Sequence, residues 1–65
     1  MSTTILRRRS VQAVTGLSRS GLYKKQAEGE FPQSISLGPR AVGWLEHEVQ
    51  AWVASRIAAS RGDGR

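Results

Sequence analysis

Gly16-Leu17-Ser18-Arg19-Ser20-Gly21-Leu22-Tyr23-Lys24-Lys25 is the stretch that decides how this chain folds. Gly16 tolerates the positive φ of a tight turn between two helices. Ser18 then stands where its hydroxyl accepts a hydrogen bond from the free N–H groups of the following helix. That helix opens with Arg19, Ser20, Tyr23 and Lys24 in or near its first turn and a half. These side chains reach phosphates and base edges, and they sit at the helix end whose dipole attracts phosphate. Two helices around such a turn, the second one basic, have the layout of a helix-turn-helix with a groove-reading second helix.

Outward toward the N-terminus, Ser10 reads as the cap of a first helix over Val11 to Thr15, ending at Gly16. Val11 and Val14 stand three apart and are expected to share its buried face. Ile5 and Leu6 read as an extended segment against the core, while residues 1–4 form a flexible tail. Outward toward the C-terminus, the second helix is expected over Arg19 to Glu28, with Gly29 as terminator and Leu17 and Leu22 as anchors.

Phe31-Pro32 then changes the regime, because proline disfavours helical geometry in the residue before it. Gln33 to Leu37 alternates polar and apolar, and Ala41 to Trp44 repeats the alternation with Val42 and Trp44. Between them Gly38-Pro39-Arg40 forms a turn, so the pair reads as a β-hairpin, naturally a wing after a helix-turn-helix. Leu45, Val49, Trp52, Val53 and Ile57 follow at offsets of four, seven, eight and twelve, the stripe of one long amphipathic helix. Glu46 and Glu48 lie near its positive end and Arg56 and Arg61 near its negative end. Trp52 is its expected core anchor, and residues 62–65 are expected to fray as a second flexible tail. The fold class is therefore small α+β, a winged helix-turn-helix with two short helices, a hairpin wing and a C-terminal helix, spanning residues 5–57.

The whole chain has 65 residues, no cysteine and a net charge of +5, so one small core must hold it without disulfides or thiolate metal sites. The distribution of charge says more than its sum. Residues 1–27 hold Arg7, Arg8, Arg9, Arg19, Lys24 and Lys25 and no acid, while all five acids come later. An uneven field of this kind draws a polyanion to one part of the surface. The basic segment lacks a broad apolar face to embed in a membrane, no run is long enough to span one, and no signal-peptide pattern opens the chain, which points to the cytoplasm.

Thr15-Gly16-Leu17-Ser18-Arg19-Ser20 with Leu22-Tyr23, then Phe31-Pro32, Leu37-Gly38 and Val42-Gly43-Trp44-Leu45-Glu46, closing on Glu48-Val49 and Trp52-Val53, resemble the AlpA family of prophage transcriptional regulators. These are very small winged helix-turn-helix proteins related to MerR-type domains and phage excisionases. The resemblance implies a sequence-specific, double-stranded-DNA-binding regulator of phage or mobile-element genes. It also leaves open an excisionase-type recombination directionality factor that bends attachment-site DNA, acting through self-association on DNA or beside an integrase or transcription protein.

Read with this, the DNA-contacting set is Ser18, Arg19, Ser20, Tyr23, Lys24 and Lys25 on the second helix, with Arg19 the candidate for guanine. Arg40 at the hairpin tip joins them, and one or two of Arg7, Arg8 and Arg9 are expected to touch the backbone on the other flank while the rest face solvent. No catalytic or metal site is expected, and no cofactor. His47 is the single histidine, and Glu46 and Glu48 beside it point about 100° away on a helix. Neither serine of the second helix has an apparent base, and the glycines match no phosphate-cradling pattern. A small protein-binding adaptor is the competing class. RNA binding is weakened because only Tyr23 among four aromatics is expected to face outward.

Overall fold

The computed structural model describes residues 4–64; Met1 to Thr3 and Arg65, expected within the tails, lie outside the described residues. Six elements follow in order: β1 (Ile5–Leu6), α1 (Arg8–Thr15), α2 (Arg19–Ala27), β2 (Ile35–Gly38), β3 (Ala41–Leu45) and α3 (Glu46–Gly64). The strands make one antiparallel sheet in the order β1-β3-β2, with Ile5 opposite Leu45, Leu6 opposite Trp44 and Ile35 opposite Gly43. β3 is thus the central strand, and the N-terminal segment is bound into the same sheet as the hairpin. The Glu46 N–H donates to the Thr4 carbonyl at 2.8 Å, extending that tie to the start of α3.

Among the described residues the core holds five buried side chains: Val11 from α1, Leu22 from α2, Phe31 from the connection, Trp44 from β3 and Val49 from α3. Each helix contributes one, so each is fixed to the others through a single small cluster, as expected for a domain of this size. Leu6, Leu17 and Trp52 pack against its edge. Trp44 is fully buried, and its indole N–H donates to the Pro32 carbonyl at 3.1 Å, which leaves no polar group orphaned in that ring.

Gly43 allows the sheet to close. A Cβ there would meet the Ile5 side chain, the Leu37 Cδ1 at 3.1 Å and the Leu6 carbonyl oxygen at 3.2 Å. The absence of a side chain lets Ile5 and Leu37 cover the outer face of the sheet at this point. The hairpin itself turns on Pro39-Arg40, between the paired Gly38 and Ala41. Proline sets the first corner, and Arg40 takes the second with φ 61°, a left-handed conformation usually given to Gly or Asn.

Several sequence expectations change. Ser10 does not cap α1: Arg7 occupies the cap position with extended geometry and no side-chain cap, because β1 delivers the chain into the helix earlier. Val14 does not share the face of Val11 and is 46% exposed. The inward stripe of α1 is instead Arg8, Val11, Gln12 and Thr15, one helical row. Leu45 ends β3 and is not part of α3. Trp44, not Trp52, is the central anchor; Trp52 is half-buried and packs its ring edge-to-face on Phe31, centroids 4.9 Å apart. The expected stripe of α3 fades along its length, from buried Val49 to Ile57 at 46% exposure, because the helix outruns the body it packs on. Gly62 to Gly64 continue the helical backbone.

Candidate nucleic-acid interface

The turn between α1 and α2 is braced by side chains before any ligand is considered. Gly16 has φ 77° and its N–H donates to the Gln12 carbonyl at 2.7 Å. The Thr15 hydroxyl donates to the Val11 carbonyl at 2.8 Å and accepts from the Leu17 N–H at 3.3 Å. Gln12 donates from Nε2 to the Leu17 carbonyl at 3.4 Å, while its Oε1 accepts from Arg8 Nη1 at 2.8 Å. Arg8 is therefore held by the residue that also fastens the turn.

Ser18 caps α2 as the sequence predicts, its Oγ accepting from the Gly21 N–H at 3.0 Å. The first turn of α2 carries no acidic residue, so the positive end of the helix is not neutralised by its own side chains. Arg19, Ser20, Tyr23 and Lys24 are exposed on one side of the helix, with Leu22 pinned in the core. Tyr23, at 40% exposure, turns its ring toward the wing.

Beside Tyr23 lies a cleft of about 370 Å³ lined by Arg7, Arg8, Arg9, Tyr23, Arg40 and Val42. Among the described residues, four arginines line it and no acidic residue does. The three N-terminal arginines thus stand with the wing residue Arg40, not on an opposite flank. The reason is sheet register: Leu6 opposite Trp44 brings the residues that follow Leu6 alongside the outer half of β3. That pairing is not visible in the local pattern of Ile5-Leu6. Val42 was not among the expected site residues, and its half-exposed side chain supplies an apolar patch to the cleft wall. Its alternation with Trp44 suggested an inward role for both.

Lys25 is the member of the expected set that stands apart. Successive helical positions rotate by about 100°, which places Lys25 roughly opposite Tyr23 across the helix. Its Nζ lies 3.8 Å from Glu30 Oε1, and its side chain borders a different groove against α3. Among the described residues no cluster of three potential metal ligands occurs, and no helix is long and apolar enough to cross a membrane.

A braced helical turn, a capped basic helix, a two-stranded hairpin and a closing helix together define a winged helix-turn-helix protein. The chain belongs to the family of the prophage CP4-57 regulatory protein, AlpA, whose sequence model matches residues 4–57. It is 48% identical over 56 residues to the uncharacterised protein ORF88 of Enterobacteria phage P4, covering 86% of this chain and 64% of that protein. It is also 33% identical over 58 residues to the DNA-binding transcriptional activator AlpA of Escherichia coli K12, covering 80% of this chain and 83% of the activator.

Proposed function

We propose that this chain binds double-stranded DNA sequence-specifically and regulates transcription of phage or mobile-element genes, acting in the cytoplasm without catalysis of its own. The observation that carries the reading is the acid-free cleft holding Arg7, Arg8, Arg9 and Arg40 next to the open, un-neutralised start of α2. In this reading α2 enters the major groove, Arg19 reads guanine, and Ser20, Tyr23 and Lys24 contact neighbouring base edges or phosphates. Ser18 orders the helix start by taking the Gly21 N–H, leaving the N–H groups of Arg19 and Ser20 for a phosphate. The cleft arginines follow the backbone, with Arg40 reaching from the wing and Val42 against a sugar or a thymine methyl. Lys25 lies outside the contact set. Membership of a prophage regulator family and the DNA-binding activator among the relatives support the same reading.

The test is selection of bound duplexes from a random pool, followed by titration of the winning site at several salt concentrations. Four to six neutralised phosphates give a log–log salt slope of about −4 to −5. Failure to enrich any sequence, with a binding constant equal for all duplexes, overturns the sequence-specific reading.

A further inference from the structure

Another hollow of the molecule has a different character from the arginine cleft. It measures about 490 Å³ and runs between the helix-turn-helix turn (Thr15, Leu17), Lys25 of α2 and the outer half of α3. α3 supplies two adjacent rows to it, Trp52-Arg56-Ser60 and Val53-Ile57-Arg61, each spaced by four and so aligned along one helical face. Its floor is apolar: Leu17, Trp52 and Val53 are half-buried, and Ile57 is exposed. The Trp52 indole N–H is already spent on the Glu30 carbonyl at 2.6 Å, so the ring offers carbon to an incoming group. The rim is basic, formed by Lys25, Arg56 and Arg61. Among the described residues no carboxylate lines the groove, Arg56 and Arg61 make no ion pair, and Glu30 pairs with Lys25.

We propose that this groove takes an acidic amphipathic helix of another protein. An apolar floor bounded by cations matches a helix whose leucine-like face is flanked by carboxylates, the arrangement used when an amphipathic helix lies in a groove. Duplex DNA fits less well, since its phosphates gain nothing from Trp52, Val53 and Ile57, and the floor would stay open to water. The groove and the arginine cleft share no lining residue, so one can be filled while the other is engaged. The inference stands independently of the DNA-binding reading.

The test uses the full chain and a synthetic helical probe about four turns long, with leucines on one face and glutamates on both borders, plus a twin with lysine for glutamate. Binding is followed by amide and indole NMR shifts at low and moderate salt. The glutamate peptide is expected to bind saturably, moving the signals of Leu17, Trp52, Val53 and Ile57, while the lysine twin does not. The double variant Arg56→Glu, Arg61→Glu should weaken the glutamate peptide at least about tenfold, and Ile57→Ser should weaken it independently of salt. All three positions are exposed, and a circular dichroism spectrum equal to the parent's confirms the fold of each variant. Equal binding of both peptides, or none, overturns the proposal. So does a double variant that loses duplex DNA as severely as it loses the peptide, which makes the groove a DNA surface. A parent dimer in sedimentation that Ile57→Asp dissolves also overturns it, since a second copy then occupies the groove.

Discussion

Two hollows lie on either side of α2, one reached by Tyr23 and the other by Lys25, and both are basic. The cleft gathers four arginines with little apolar surface beyond Tyr23 and Val42, whereas the groove sets three cations around a floor of Leu17, Trp52, Val53 and Ile57. Charge of one sign attracts anions to both. On the proposed readings the floor decides which anion stays, because a phosphate backbone gains little from buried apolar area and a protein helix gains much. Net charge alone therefore describes this molecule poorly; neighbouring residues of one helix border surfaces of the same charge but different apolar content.

The comparison is most easily broken through the core on which both hollows rest. Trp44→Ala should cost about 3–5 kcal/mol, the usual loss for a buried aromatic, and a domain with so small a core has little more to lose. Thermal denaturation should show the variant largely unfolded, with both surfaces gone. Trp52→Ala, at the groove floor and half-buried, should cost roughly half as much. Equal losses in the two melts would make the groove floor part of the core and erase its distinction as a free surface.

A smaller effect tests the cleft side alone. Arg19→Ala should reduce discrimination between the selected site and its guanine-substituted variants by about 1–3 kcal/mol. Full preference retained in competition binding would reassign Arg19 to a phosphate. Arg40→Ala should weaken binding about equally for different sequences and flatten the salt slope by about one unit. An unchanged slope would leave the hairpin as a cover for the core and nothing more. The smallest expected effect sharpens the contrast most: Arg56→Ala should leave the affinity for duplex DNA and its salt slope unchanged within about 0.3 unit, as befits a cation outside the phosphate path. A slope change equal to that of Arg40→Ala would merge the two hollows into one continuous DNA surface.

The helix-turn-helix and the hairpin turn were legible because their signals are local. Gly16 with its positive φ, Ser18 with its hydroxyl on the Gly21 N–H, and the Pro39-Arg40 turn each act within a few residues of themselves. What the sequence concealed depends on partners far along the chain. Ser10 is a good cap, yet the pairing of Ile5-Leu6 with β3 starts the helix before it. Trp44 and Trp52 both fit an apolar pattern, and only the packing of β3 against Val11, Leu22 and Val49 puts one at the centre and the other on the rim. The convergence of Arg7, Arg8 and Arg9 with Arg40 follows from the same sheet register, and the separation of Lys25 from Lys24 from the angle between neighbours on a helix.

On the proposed DNA-binding reading, Arg40 sets stability against recognition within a single residue. Its left-handed backbone at the hairpin tip costs on the order of 1 kcal/mol, which glycine at the same place would return. A redesign guided by melting temperature would therefore choose Arg40→Gly early and obtain a firmer domain. The same replacement removes a guanidinium from the cleft, so the firmer domain should hold DNA less well. A library sorted once for thermal survival and once for DNA retention should drive this position in opposite directions.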